Sequence, residues 1–316
     1  MKEKMLKVKE NRIVSYFMPL LIMVIVVLVF AVWTQGRFVR SKNLMMILNQ
    51  AIILGLVATG AVIIFSTSRI SAAMGGSTAM ACIIGTYAFL ATDSPVAMIL
   101  GCIGGGLLIM LVTIGLSKIL HMDVMILSMI FMTLLMAIQE WVLDGGKILS
   151  LDHGTMKSLE KMNLPLILCL VFLAAAAVLF EFSKFGRQLK MIGSNETCAR
   201  QNGINAQKML TKAFLLAGVA VGLGSAVILI RSASISQFTA NSLNMDAMLA
   251  VVLGGTPIRG GTRSKILSGI WGALTVSMLT NGLSMAGIDA IWIQAVRGVF
   301  FIVVIALSDK RSEILN

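Results

Sequence analysis

Few residues in this chain could carry out chemistry, and their spacing matches no catalytic motif. The 316 residues include 14 acids, 2 histidines and 4 cysteines. Catalysis needs a nucleophile beside a base, a pair of carboxylates or a metal ion. The sequence contains no G-x-S-x-G, H-E-x-x-H or C-x-x-C, and the acids lie almost entirely outside its apolar stretches. We therefore predict that the chain is not an enzyme and has no catalytic or metal-binding residues of its own.

One glycine-rich segment resembles a phosphate-binding loop in outline. Residues 255–262 read GTPIRGGT, against the pattern G-x-x-x-x-G-K-[ST]. Gly261 stands where the lysine should be, so the contact with the β- and γ-phosphates is lost. We interpret the segment as a tight turn and expect the chain to have no nucleotide-hydrolysing machinery of its own.

Residues 182–212 form a basic loop with the signature of a short helix. Ser194 is a good N-cap, and Glu196 in the first turn suits the helix dipole. Glu196 and Arg200 are four residues apart in the favourable order, and Asn202-Gly203 is a stop signal. This predicts a helix over about 195–201. Because two turns are unstable alone, we expect it to pack on a cytoplasmic subunit.

The elements around this loop are apolar and long. The chain is 58% hydrophobic and 13% charged, with a mean hydropathy of +0.93, and a membrane-spanning helix needs roughly 20 apolar residues. The sequence predicts an all-α polytopic membrane protein with about ten transmembrane helices, of which the eighth is too short to cross alone. The expected spans are 17–34, 44–65, 71–91, 96–117, 123–143, 164–181, 213–231, 246–258, 266–284 and 288–307.

Lysine and arginine predict the orientation. With both termini in the cytoplasm, 18 of the 26 basic residues fall in inner segments and 7 in outer ones. The net charge of +12 is dispersed over separate loops, which excludes a nucleic-acid-binding surface. We expect a multi-pass membrane protein that is surrounded by lipid.

Glycine and buried polar residues give weaker signals. The glycines at 101–106 and at 218, 222 and 224 predict close helix contacts. Arg297, inside the tenth span, is expected to pair with a carbonyl or carboxylate. Asn49, Gln50 and Asn281 either join helices by hydrogen bonds or line a hydrophilic path, and the sequence leaves both interpretations open.

Three segments resemble the monosaccharide-type permeases of ATP-binding-cassette (ABC) importers, the ribose/xylose/galactose group. GRQLKMIGSNETCARQNGIN, from Gly186, is similar to the family's G-R-x-x-x-A-I-G-x-N-x-x-A-A-R-x-x-G-I loop. LNMDAMLAVVLGGTPIRGG, from Leu243, is similar to L-D-A-I-A-A-V-V-L-G-G-T-S-L-x-G-G, and NLMMILNQAIILGLVATG, from Asn43, to N-L-x-N-I-L-R-Q…G-I-L-A-L-G.

The resemblance implies the fold, the domains and the partners. It implies an ABC importer permease fold over 17–308, with cytoplasmic tails at 1–16 and 309–316 and an ATPase-coupling loop at 182–212. The implied partners are an ABC ATPase subunit that binds ATP, an extracytoplasmic solute-binding protein and a second permease. The implied coupling residues are Gly193, Asn195, Glu196, Ala199, Arg200 and Gly203.

One departure from the family concerns residues 68–75. The family has G-G-I-D-L-S-V-G where this chain has SRISAAMG, so a glycine pair and an acid are lost and Arg69 is gained. We therefore expect a heterodimer with a more typical permease rather than a homodimer. The residues expected to line the translocation path are Asn49, Gln50, Ser68, Arg69, Ser71, Asp246 and Asn281.

Two other functions stay open at this level, a secondary transporter or channel and a non-transporting partner subunit of a heteromeric permease. The absence of acids deep in the spans counts against the first. A pentose or hexose is the solute that the resemblance implies, and a furanose-like signal or a nucleoside stays open.

Overall fold

The architecture is helical, as the apolar stretches predict. A computed structural model of the chain describes residues 19–236, 239–240, 242–257, 260–262 and 264–313, without the side chains of 290 and 303–313. The predicted tail at 1–16 and the inner-loop residues Arg259 and Arg263 lie outside the described residues, as does part of the tail at 309–316.

The described helices follow one another with short connections. They are α1 (Pro19–Trp33), α2 (Ser41–Phe65), α3 (Met74–Thr92), α4 (Pro95–Ile119), α5 (Val124–Val142), α6 (His153–Lys161), α7 (Leu164–Ala177), α8 (Lys184–Ser194), α9 (Glu196–Gln201), α10 (Ala206–Ser232), α11 (Leu243–Leu253), α12 (Ile266–Met285) and α13 (Ala290–Glu313). A π-helical turn, Val178–Phe182, prolongs α7, and a 3-10 turn, Arg37–Val39, precedes α2. Two short strands, β1 (Leu149–Ser150) and β2 (Ser234–Ile235), pair antiparallel.

Seven of these helices are long and apolar enough to cross a membrane, and three more apolar helices are shorter. The shorter ones are Pro19–Trp33, Leu243–Leu253 and Ile291–Ile302. The seven long and three shorter apolar helices confirm the prediction of about ten membrane helices. The expected short eighth span is α11, which begins and ends earlier than the predicted 246–258 and has only 11 residues.

α2 and α10 form the centre of the bundle. In the most apolar part of each helix, 72% of the residues of α2 and 83% of those of α10 are buried. In Leu164–Phe182, which is α7 with its π-helical turn, the buried share is 28%. α10 packs on α2, α3 and α4, and α12 packs on α2 and α11. α1, α5 and α7 therefore form the periphery, where exposed leucine, isoleucine and valine side chains suit contact with lipid.

α4 and α10 approach closely through the predicted glycines. A Cβ atom on Gly106 would lie 2.5 Å from the carbonyl oxygen of Gly218, and one on Gly222 would lie 2.5 Å from the Cα of Ile103. The expectation that these glycines permit close backbone contact is confirmed.

The two ends of the bundle differ. One end holds α8 and α9, the last turn of α2, the first turn of α5 and the connection between α11 and α12; we call it the α9 end. The opposite end holds α6, the β1–β2 pair and the last turn of α10. This segregation matches the alternation of spans predicted from the sequence.

Candidate functional site: the α9 end

α9 is the predicted short helix, but its N-cap is Asn195 rather than Ser194. The side-chain oxygen of Asn195 accepts a hydrogen bond from the backbone N–H of Cys198 at 3.0 Å. Ser194 instead ends α8, and its hydroxyl donates to the carbonyl oxygen of Lys190 at 3.0 Å. The prediction of Ser194 was wrong because both residue types are good caps and a preceding helix occupies Ser194.

The same chain provides the packing that stabilises α9. Ala199 is completely buried in a cluster with Leu189, Ile192, Ala206 and Met209 from α8 and α10. α9 therefore packs within its own chain, and its expected contact with a cytoplasmic subunit stays a prediction. α9 is a preformed part of the chain, and its exposed face is available to contact another protein.

α9 ends at Asn202-Gly203, as predicted. Gly203 has a φ of +76°, in the left-handed region that favours glycine. The N–H of Gly203 donates a hydrogen bond to the carbonyl oxygen of Arg200 at 3.0 Å. The N–H of Ile204 donates one to the carbonyl oxygen of Ala199 at 3.1 Å.

The exposed side of α9 is polar and borders a shallow groove. The side chain of Arg200 is 65% exposed, and Thr197 and Cys198 are also exposed. Arg200 lines the groove, of about 380 Å³, together with Ile204, Asn205, Ala206 and Gln207. Such a face can receive polar groups of a partner protein.

Gly193 lies where three segments of backbone converge. A Cβ atom there would lie 1.9 Å from the carbonyl oxygen of Ser66 and 2.8 Å from the backbone nitrogen of Gly261. The N–H of Gly261 donates to that same oxygen at 3.1 Å. The end of α8 is therefore in direct contact with the end of α2 and with the α11–α12 connection.

Arg69 joins three elements at the α9 end. One guanidinium nitrogen, Nη1, lies 2.9 Å from Oδ2 of Asp123, the N-cap of α5, and the other, Nη2, lies 3.1 Å from Oε2 of Glu196. The second oxygen of Glu196, Oε1, is 2.6 Å from Nη2 of Arg200. A residue predicted for the translocation path thus contacts a residue predicted for ATPase coupling.

These two arginines determine the ionisation of Glu196. Burial alone would raise the pKa of this carboxyl, but the hydrogen bonds and charges of Arg200 and Arg69 outweigh it and lower the pKa below its usual 4.5. Glu196 is therefore a fixed anion at neutral pH.

Residues 68–73 lead from this cluster to the start of α3. Ser68 has a φ of +62°, in the left-handed region, at a position where the resembled family carries glycine. The N–H of Ala72 donates to the hydroxyl of Ser128 on α5 at 2.9 Å. A Cβ atom on Gly75 would lie 2.9 Å from the carbonyl oxygen of Ala240, next to the start of α11.

The other residues predicted for the path are distributed over the bundle. Asn49 accepts a hydrogen bond from Arg231 at 2.8 Å, at the opposite end. Gln50 is exposed on α2. Ser71 and Asn281 are buried, and their side-chain oxygens have no hydrogen-bond partner within the part of the chain that the structure describes.

Asp246 and Arg297 form a buried ion pair between α11 and α13. Both carboxylate oxygens lie 2.7–2.8 Å from Nη1 of Arg297, and the side chains are 13% and 15% exposed. The expectation that Arg297 pairs with a carbonyl or carboxylate is confirmed.

Asp123 and Glu181 are the members of this end that sequence reasoning missed. Glu181 accepts a hydrogen bond from Lys190 at 2.9 Å and one from the N–H of Ile266, at the start of α12. The sequence did carry a signal for Asp123, since aspartate directly before an apolar helix is a typical N-cap. Among the described residues no group of His, Cys, Asp and Glu could hold a metal ion.

Comparisons with known proteins find permeases of similar sequence. The family described as the permease component of branched-chain amino acid transport systems matches residues 43–305. The ribose import permease protein of Bacillus subtilis is 28% identical, over 99% of this chain and 100% of its own length. The ribose import permease protein of Escherichia coli K12 is 25% identical, over 92% and 93% of the two chains. The fructose import permease protein of Rhizobium meliloti is 22% identical, over 92% and 84%.

Proposed function

The chain belongs to the family of permease components that matches it over residues 43–305, and on that premise we propose that it is the membrane subunit of an ATP-driven ABC importer for a monosaccharide. Ribose and fructose import permeases that align with nearly its whole length support a sugar or a similar small polar solute. The chain would form half of the translocation pathway, and ATP would be bound and hydrolysed by a separate subunit.

The observation that carries the proposal is the preformed helix α9. Its buried side is fixed by Ala199 against α8 and α10, and its exposed side presents Arg200 beside a groove. A short helix held rigidly at the end of a membrane bundle suits docking to an ATPase, because little ordering entropy is lost on binding. We propose that the segment 182–212 carries this contact.

The remaining partners and the location follow from the same proposal. We place the α9 end and both termini in the cytoplasm, since lysine and arginine are in excess in the loops assigned to that side. A solute-binding protein would then approach the opposite end, in a bacterial cytoplasmic membrane. The altered segment 68–75 favours a heterodimer with a second permease.

We propose that fewer residues line the translocation path than the seven expected from the sequence. Asn49, Arg69 and Asp246 already bond to other side chains of this chain. Ser68 lies beside Arg69 at the α9 end, in the connection that leads to α3. Ser71 and Asn281 have buried oxygens that lack a hydrogen-bond partner among the described residues, and Gln50 is a polar side chain exposed on an apolar helix. A polar group in such a position faces water or a protein partner rather than lipid, so these three are the proposed lining residues.

The test is purification of the chain from its native membrane with identification of whatever remains bound. An ABC ATPase together with a second permease supports the importer and the heterodimer, and an ATPase alone supports a homodimeric importer. Recovery without any ATPase, under mild detergent conditions that keep the chain folded, contradicts the proposal.

Arg200→Ala tests the docking face itself. ATP-dependent uptake of ribose or fructose by reconstituted vesicles should fall at least tenfold, while the variant is purified in normal yield. Lys118→Ala removes another cation of the α9 end, which bonds to Thr211 of α10 rather than to α9, and serves as the matched control with unchanged uptake.

A further inference from the structure

The ion cluster around Arg69 has a geometry that a surface ion pair alone does not explain. A single guanidinium group bonds to the N-cap of α5 and to the first turn of α9, through different nitrogens. Arginine is suited to this role because its planar, permanently charged fork fixes two partners at once. The side chain is 29% exposed, so solvent screens the cluster only in part.

Glu196 is committed to this cluster on both of its oxygens. Oε2 accepts from Arg69 and Oε1 from Arg200. It is consequently an anchor that holds α9 to the rest of the chain, whereas the largely exposed Arg200 is the group turned towards a partner. A force applied to α9 would reach Arg69 through one side chain.

The segment that follows Arg69 can carry a displacement of α9 into the bundle. It is attached to α5 by the hydrogen bond of Ala72 to Ser128, at 2.9 Å. α3 begins two residues later, at Met74, and in its first turn the carbonyl oxygen of Gly76 accepts a hydrogen bond from the side chain of Gln139 at 2.8 Å.

The start of α3 in turn touches the start of α11. At Gly75 a Cβ atom would lie 3.0 Å from the Cβ of Asn244, so the two helices meet there with no room for a side chain. Closely packed backbones transmit displacement because they cannot be compressed. The contacts are thus continuous from α9 to two helices inside the apolar bundle.

We propose that Arg69 is a positioning residue that transmits movement of α9 to the start of α3 and thereby couples the ATPase to the translocation path. The proposal rests on the proposed importer function and adds to it a specific route through this chain. It assigns to Arg69 a coupling role instead of the solute-lining role expected from the sequence.

The test is hydrogen–deuterium exchange of the permease with and without its co-purified ATPase and a non-hydrolysable ATP analogue. In the wild type, docking should slow exchange in 184–203 and also change exchange in 69–76. In Arg69→Gln the change in 184–203 should remain, and the change in 69–76 should fall at least threefold. Lys118→Gln removes another cation of the α9 end, which bonds to Thr211 rather than to α9, and should behave as wild type.

Each contrary outcome has a distinct meaning. If docking changes hydrogen exchange in residues 69–76 equally in the wild type and in Arg69→Gln, the coupling role of Arg69 is refuted and the importer proposal stands. If 184–203 is not protected in the wild type, the docking proposal fails and the coupling role fails with it. Arg69→Lys, which keeps one charge but can bridge only one carboxylate well, gives an intermediate response if the glutamine variant does not fold.

A second readout separates coupling from stability. In reconstituted vesicles that take up ribose, the amount of solute transported per ATP hydrolysed should fall at least fivefold in Arg69→Gln, while the rate of hydrolysis stays within about twofold of wild type. A loss of uptake and hydrolysis in equal proportion would contradict a coupling role.

Discussion

At the scale of single residues, the ionisation of Glu196 determines when the α9 cluster is intact. Its pKa is lower in the folded chain than the usual 4.5, because the two arginines outweigh the effect of burial. Its contribution to stability is therefore fully present above pH 4.5 and is lost as the pH falls through the lower, folded-state pKa. Asp123 is the other carboxylate facing Arg69.

Comparison of the wild type with Glu196→Gln checks the direction of this pH dependence of stability. The wild type should unfold at a higher temperature than the variant in detergent, by an amount that is constant between pH 5 and 8. Below pH 4.5 the two melting temperatures should converge. A difference that widens on acidification would show that the carboxylate is not stabilised by its partners.

Ser68 is a second residue with a measurable consequence. A non-glycine residue in the left-handed region costs about 1 kcal/mol, and Ser68 has a φ of +62°. Ser68→Gly should therefore raise the melting temperature by about 2 °C, whereas Ser68→Val should lower it. Ser66, two residues earlier, has a φ of −59°, so Ser66→Gly is the control that should destabilise the chain.

At the scale of elements, the long apolar helices could be predicted from the sequence and the short polar ones only in part. α2, α4, α5, α10 and α12 lie within a few residues of the predicted spans, except that α10 begins at Ala206, inside the predicted loop. Apolar runs of this length have no other stable state in lipid. α8 was missed because its 11 residues are amphipathic and only its N-cap, Ser183, separates them from the apolar run that precedes them.

The contacts between elements were beyond sequence reasoning. Arg69 and Glu196 are separated by 127 residues, and no local spacing rule pairs residues so far apart. The positive φ of Ser68 was likewise hidden, although the glycine in the resembled family occupies the same position. Composition and periodicity define helices, whereas the packing of those helices decides which charges meet.

The contact between α4 and α10 gives a prediction at this scale. Gly106→Ala would place a methyl group 2.5 Å from the carbonyl oxygen of Gly218, and such overpacking costs about 1–3 kcal/mol. We expect a lower melting temperature and a lower yield in the membrane. Gly104→Ala, on the same helix and with nothing within 4 Å of its Cβ position, should match the wild type. Equal stability of the two variants would contradict the close approach.

At the scale of the whole molecule, the exposed surface indicates what surrounds the bundle. Apolar side chains are exposed along α1, α5 and α7, while the charged groups of the described residues, apart from the buried Asp246–Arg297 pair, collect at the two ends. This distribution is that of a helical bundle in a bilayer. The orientation of the bundle in that bilayer decides whether α9 can meet an ATPase at all.

The cysteines provide a direct test of that orientation. Cys198 on α9 is exposed, and the other three cysteines, Cys82, Cys102 and Cys169, are buried. A membrane-impermeant maleimide should therefore label the wild type, expressed without an ATPase subunit, at Cys198 in inside-out vesicles and leave it unlabelled in intact cells. Lys157 is exposed on α6 at the opposite end, so Lys157→Cys combined with Cys198→Ser should give the reverse pattern. Labelling of Cys198 from outside would invert the topology and would remove the ATPase from reach of α9.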